Sequence, residues 1–267
     1  ENLLWRNGRD GTFRDAALLA GVALPIDGKP EASMGVDAGD FDNDGDPDIF
    51  VTELAGEGAN LFVNDGAGSF HDESARSGLG SATRPYTGFG TAWFDVDNDG
   101  WLDLLVANGD IQVVQPLAQA GDPFPFRQPR QLFRNLGDGR FEDATGRAGA
   151  ALAASEVGRG AAFGDLDNDG DTDAIVANNN GPARLFVNQI GDRRHFVGLR
   201  LVGGSTGSAG RDMLGAEVEI VQTDGSRRWR RARSDGKATY TDGLEWADVP
   251  VEFEDGTHGT NSVVLTR

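Results

Sequence analysis

Asp40-Phe-Asp-Asn-Asp-Gly-Asp-Pro-Asp48 runs directly into the apolar triplet Ile49-Phe50-Val51. The same design returns as Asp95-Val-Asp-Asn-Asp-Gly-Trp-Leu-Asp103 before Leu104-Leu105-Val106. It returns again as Asp165-Leu-Asp-Asn-Asp-Gly-Asp-Thr-Asp173 before Ala174-Ile175-Val176. Self-similarity at this scale marks a repeat architecture, in which each unit buries its apolar face against its neighbours. Apolar runs this short are strands, because helices need roughly ten residues or more. Gly-rich segments precede each loop, at Met34 to Gly39, Thr87 to Phe94 and Gly158 to Gly164, and they read as further strands.

A second motif alternates with the first. Asn2-Leu-Leu-Trp-Arg-Asn7 is followed by Gly11 and Phe13. Asn60-Leu-Phe-Val-Asn64 is followed by Gly68 and Phe70, and Gln131-Leu-Phe-Arg-Asn135 by Gly139 and Phe141. Each reads as strand, Gly/Asp/Asn turn, strand. A fourth copy opens at Arg184-Leu-Phe-Val-Asn188 and then loses the Gly and Phe positions, which places a domain boundary there. Units of about four short strands are propeller blades. The expectation is an all-β fold with three whole four-stranded blades plus a leading hairpin over residues 1–194, and a small β-rich region over 195–267. Asp110 to Pro129 stretches the second unit with four prolines and reads as an irregular covering loop. Its alternative role is contact with a partner.

Each Asp loop offers the ligands that calcium takes, six to eight oxygens from carboxylates, carbonyls and water. Alternate residues of a tight loop point inward. Asp40, Asp42 and Asp44 therefore converge, Gly45 allows the turn, and Asp46 and Asp48 stand at positions 7 and 9. The second loop offers Asp95, Asp97, Asp99 and Asp103, with Trp101 contributing its carbonyl alone. The third offers Asp165, Asp167, Asp169, Asp171 and Asp173. An EF-hand is excluded, since its bidentate Glu at position 12 is replaced by Val51, Val106 and Val176. Mg²⁺ fits less well because it demands octahedral geometry and keeps its waters. Any one such loop could be a plain solvated turn; three copies in the same register weigh against that. About three Ca²⁺ ions are expected.

Composition agrees. Asp plus Glu number 43 against 24 Lys plus Arg, giving a formal charge of −19. Such a surface repels nucleic acid and anionic lipid and attracts cations. Fourteen of the acids lie in the three loops, so much of the charge is a property of those sites. There is no Cys, which excludes disulfides and thiolate chemistry. No apolar run is long enough for a membrane helix. The chain opens at Glu1 without Met, as a processed form or a fragment would.

The Asp loops together with Phe89-Gly90 and Phe163-Gly164 resemble the FG-GAP/VCBS repeats of integrin-α-like propellers. Asn178 to Asn188, His195 to Gly203 and Arg211-Asp-Met-Leu-Gly-Ala216 resemble the entry to an ASPIC/UnbV domain, whose closing segment is faint around Gly236 to Gly256. The resemblance implies one calcium ion per loop and a binding role. Three and a half blades do not close a ring, since closed propellers have four or more. The chain is then a fragment, or its C-terminal part or a partner fills the gap.

No nucleophile elbow, phosphate loop or zinc spacing is present, and His71, His195 and His258 stand in unlike contexts. The expectation is therefore a secreted, periplasmic or cell-surface scaffold without catalysis that binds a protein partner, as a subunit of a larger assembly where one exists. The alternative is a carbohydrate-active enzyme or carbohydrate-binding protein, with a site around Tyr86 and Trp93. Arg227, Arg228, Arg230, Arg231 and Arg233 cluster about Trp229. They form either a patch for an acidic partner or lipid, or a surface strand whose long side chains cover apolar area.

Overall fold

The structure, a computed structural model, describes residues 1–191, 197–200, 202–203, 211–212, 215–221, 225–232, 237–240 and 262–266. Its architecture is all-β, in propeller-like repeats. A leading hairpin pairs β1 (Trp5–Asn7) with β2 (Phe13–Asp15). The first blade orders β3 (Gly35–Gly39), β4 (Asp48–Thr52), β5 (Asn60–Asn64) and β6 (Phe70–Asp72) as an antiparallel meander. The second repeats it with β7 (Gly88–Phe94), β8 (Asp103–Asn108), β10 (Gln131–Asn135) and β11 (Phe141–Asp143). Between β8 and β10 lies the expected insert. It folds back through a short helix, α4 (Gln115–Gln119), and ends in β9 (Gln128–Pro129), which pairs with β12 (Ser155–Glu156). Gln128 is buried and accepts the Thr87 N–H at 2.9 Å, so the insert is tied to the blade. Three other one-turn helices sit at blade edges: α1 (Ala17–Ala20), α2 (Ser74–Ser77) and α3 (Leu79–Thr83). Sequence pattern did not signal them, because four or five residues show no helical period.

Among the described residues the third blade has three strands, β13 (Gly158–Gly164), β14 (Asp173–Asn178) and β15 (Arg184–Phe186); the place of a fourth, residues 192–196, lies outside the described residues. Its hairpin copy lacks the Gly and Phe that turn β5 into β6 and β10 into β11. Beyond it come β16 (Val197–Arg200) paired with β21 (Lys237–Tyr240), and β17 (Val202–Gly203) paired with β18 (Arg211–Asp212). A further sheet orders β20 (Arg227–Arg231), β19 (Glu217–Val221) and β22 (Ser262–Thr266). Most of the closing segment at Gly236 to Gly256, together with Arg233, His195 and His258, lies outside the described residues.

Side chains alternate across a strand, and a blade between two others is covered on both faces. Strand β8 shows the consequence: every one of its residues is buried. Leu104 and Val106 face the first blade with Phe41, Phe50, Leu61, Trp93 and Phe133, while Leu105 and Ala107 face the third with Phe94, Leu132 and Val176. That is why the run is apolar without alternation. In β14 the pattern breaks, with Val176 buried and Ile175 42% exposed.

The inner strands β3, β7 and β13 lie side by side. Glycine makes this possible. A Cβ at Gly35 would lie 1.9 Å from the Phe89 carbonyl oxygen, and one at Gly90 would lie 2.3 Å from the Ala161 nitrogen. Trp93, considered above for a sugar platform, is instead 2% exposed and stacks on Phe41 at 5.6 Å between centroids. It is a core residue and offers no face to a ligand.

Candidate metal centres

All three Asp loops share one backbone design. The position-1 carboxylate accepts the N–H groups of positions 5 and 6. Asp40 takes Asp44 at 3.1 Å and Gly45 at 2.9 Å; Asp95 takes Asp99 at 2.9 Å and Gly100 at 2.8 Å; Asp165 takes Asp169 at 3.1 Å and Gly170 at 3.2 Å. Closing this turn puts position 4 in the left-handed region. Asn fills it each time, at φ 60° for Asn43, 55° for Asn98 and 62° for Asn168. Asn tolerates that conformation better than other non-glycine residues. Gly45, Gly100 and Gly170 follow at φ 101°, 86° and 95°.

The position-9 carboxylate has a structural task that sequence reasoning missed. Asp48, Asp103 and Asp173 are almost wholly buried. One oxygen of each accepts the N–H of loop position 2, from Phe41 at 3.3 Å, Val96 at 2.8 Å and Leu166 at 2.9 Å. The other accepts the N–H of the hairpin asparagine, from Asn64 at 2.9 Å, Asn135 at 2.8 Å and Asn188 at 2.8 Å. Those asparagines also link units. Asn135 donates to the Phe41 carbonyl of the preceding loop at 2.9 Å, and Asn188 to that of Val96 at 2.7 Å. The signal was in the sequence, as the asparagine that closes each Leu-Phe-x-Asn or Leu-Trp-Arg-Asn motif.

Carboxylate oxygens gather in each loop within 4.8 Å of one another: Asp40, Asp42 and Asp48; Asp95, Asp97 and Asp99; Asp165, Asp167 and Asp173. The expected convergence of positions 1, 3 and 5 thus holds in the second loop, while the first and third bring together positions 1, 3 and 9. In every loop the position-5 carboxylate accepts the N–H of the next-but-one residue: Asp44 from Asp46 at 2.9 Å, Asp99 from Trp101 at 3.0 Å and Asp169 from Asp171 at 3.2 Å. Trp101 is half-buried and packs its indole against Gly137.

Crowding acids where water is excluded disfavours their charged forms. Burial, reinforced by Asp42 and Asp44, pushes Asp40 up to about 7. Burial, with Asp42 and Asp40 nearby, pushes Asp48 up to about 8. Asp95 is pushed by burial to about 6 although Arg230 opposes the shift, and Asp103 is raised well above the ordinary range by burial and then by Asp95. A cation among these oxygens would remove the penalty, and an all-oxygen donor set suits a hard divalent ion. The three clusters could therefore hold metal ions.

The sequence pattern of the FG-GAP-like repeat matches residues 1–51, 40–106 and 127–176, together more than half of the chain. The chain belongs to the FG-GAP-like repeat family. Its FG-GAP-like units carry the Asp loops, and each loop opens the second strand of its blade. Cartilage acidic protein 1 of Homo sapiens is 44% identical over 59 residues, 22% of this chain and 9% of that protein. The same protein of Xenopus tropicalis is 42% identical over 59 residues, with the same coverage. The match thus spans about a tenth of the length of these relatives. Among the described residues of this FG-GAP-like chain, no helix is long and apolar enough to cross a membrane.

The arginine cluster falls on β20, and the chain supplies acidic partners for it. Arg227 pairs with Glu219, Arg231 with Glu217 at 2.6 Å, and Arg230 with Asp95 of the second FG-GAP-like loop at 3.5 Å. Arg228 lies over the Trp101 ring at 4.5 Å.

Proposed function

We propose that this chain is a calcium-stabilised interaction module without catalysis, working in a secreted, periplasmic or cell-surface setting. Support comes from one observation above all: three Asp loops of one backbone design gather carboxylates at the same place in successive blades. Asp40, Asp42 and Asp48, then Asp95, Asp97 and Asp99, then Asp165, Asp167 and Asp173 would form the inner ligand sets. Backbone carbonyls such as that of Trp101, the remaining loop aspartates and water would complete six to eight oxygens. Calcium suits the sets better than magnesium because they are flexible in number and are not octahedral cages. Sites of this kind fill where calcium is abundant, which is the basis for an extracytoplasmic setting. Membership of the FG-GAP-like repeat family favours a protein as the partner. The region after residue 194 is read as ASPIC/UnbV-like from its Arg211 to Ala216 segment.

Thermal unfolding in excess EDTA, in millimolar Ca²⁺ and in Mg²⁺ tests the proposal. A ligand bound only by the native state stabilises by mass action, so Ca²⁺ should raise the midpoint clearly and Mg²⁺ little. Equal midpoints in all three, with no metal by elemental analysis, would make the loops plain turns.

A further inference from the structure

The three loops are not equivalent, and the difference lies in arginine. Position 134, next to the hairpin asparagine of the middle blade, is Arg; the matching positions are Val63 and Val187. Arg134 reaches into the second loop, with Nε 3.1 Å from Asp97 Oδ2 and Nη2 3.2 Å from Asp99 Oδ2. From the far side comes Arg230 of β20, its side chain 9% exposed, with Nη2 3.5 Å from Asp95 Oδ2. Two guanidinium groups thus face the three carboxylates that would hold the second ion. Strand β20 is fixed there by other contacts as well. The Trp229 N–H donates to Asn43 Oδ1 at 3.2 Å, and Arg230 Nη1 donates to the same oxygen at 3.3 Å. Trp229 packs on Gly45, and Arg228 on Gly100 and Trp101. The middle loop also has the fewest aspartates, since Trp101 takes the place held by Asp46 and Asp171. Among the described residues no ion pair reaches Asp165, Asp167, Asp169 or Asp173.

We propose that Arg134 and Arg230 are internal counter-cations of the second loop, competing with a divalent ion for Asp95, Asp97 and Asp99. The inference rests on the calcium reading of the loops and concerns how one of them is regulated. A divalent ion entering this cluster meets two positive charges a few ångströms away and must displace their hydrogen bonds. Such repulsion near a protein surface weakens binding by about tenfold or more. The second site is therefore the weakest of the three and fills last. Linkage makes the Arg230 share of the effect reciprocal: filling the second site loosens the docking of β20 on the loops by the factor that Arg230 takes from calcium affinity. The Arg227–Arg231 strand then responds to calcium concentration.

The test is a Ca²⁺ titration of the full chain by calorimetry, repeated with Tb³⁺ luminescence sensitised by the Trp101 indole. W101F should remove the luminescence of the second-site ion and so assign it. R134V installs the side chain its sister blades carry, and R230Q removes the other charge. The expected result is that the weakest binding class, assigned to the second loop, tightens about tenfold in R134V and further in R134V/R230Q. R134V should leave the other two classes unchanged; R230Q, whose arginine also faces Asp40 of the first loop, should leave the third-loop class unchanged, and R230K should keep the wild-type value. Trypsin should cleave within β20 faster at saturating Ca²⁺ than at a concentration that fills only the tight sites. Three bound ions with affinities indifferent to R134V and R230Q would overturn the inference and leave the calcium reading intact. No bound ion in any variant would overturn both.

Discussion

Loops 2 and 3 follow one design at the backbone, with matching N–H bonds to Asp95 and Asp165 and to Asp103 and Asp173. Their surroundings differ. Loop 2 sits between two blades under β20, with Arg134 and Arg230 beside it. Loop 3 carries Leu166 at 60% exposure, and β15 beside it carries Leu185 at 55%. A local motif sets geometry, whereas its neighbours set dielectric and charge, and these decide what the same geometry is worth.

The largest expected effect concerns the hairpin asparagines, measured by denaturant unfolding in EDTA. Asn135→Ala leaves the buried carbonyls of Phe41 and Leu102 without their donor and should cost about 3 kcal/mol. Asn188→Ala breaks a matching pair at the more exposed edge, where water can take its place, and should cost about 1 kcal/mol. Equal losses would show that burial does not separate the two blades.

Metal dependence should come next. In excess Ca²⁺, Asp167→Asn is expected to remove most of the calcium-dependent rise in thermal midpoint that the third loop contributes. Asp97→Asn should remove less than half as much, because Arg134 already offsets part of that carboxylate's charge.

Two glutamates give opposite pH signatures. Glu156, held by Arg184 and Arg130, lies at about 2, below its ordinary 4.5. Its contribution is present above pH 4.5 and is lost as pH falls toward 2. Glu53 is buried, which raises it to about 7 despite bonds from Ser33. Stability therefore falls as pH rises from 4.5 to 7. Glu156→Gln should flatten the acid side of a stability–pH curve, and Glu53→Gln the neutral side. The smallest effect is Arg228→Ala, which removes a half-exposed cation–π contact with Trp101 and should cost about 0.5–1 kcal/mol in chemical denaturation.

Much of this was legible in one dimension. Asp, Asn and Gly at fixed loop positions dictate a tight turn by local chemistry alone, and the repeat placed three of them alike. The same logic located β4, β8 and β14 and set β13 at Gly158–Gly164. Trp93 misled, because an aromatic within a Gly-rich strand looks the same whether it stacks on Phe41 or faces a ligand.

The amino-acid sequence by itself determined the blade repeat, the Asp loops and their turn residues, because these depend on neighbours within a few residues. Only the tertiary structure decided which charges share a loop. Arg134 meets Asp97 and Asp99 across a sheet, and Arg230 meets Asp95 from a distant strand. No local pattern encodes such encounters, since they arise when separately specified elements pack to bury apolar surface and bring their charged rims together.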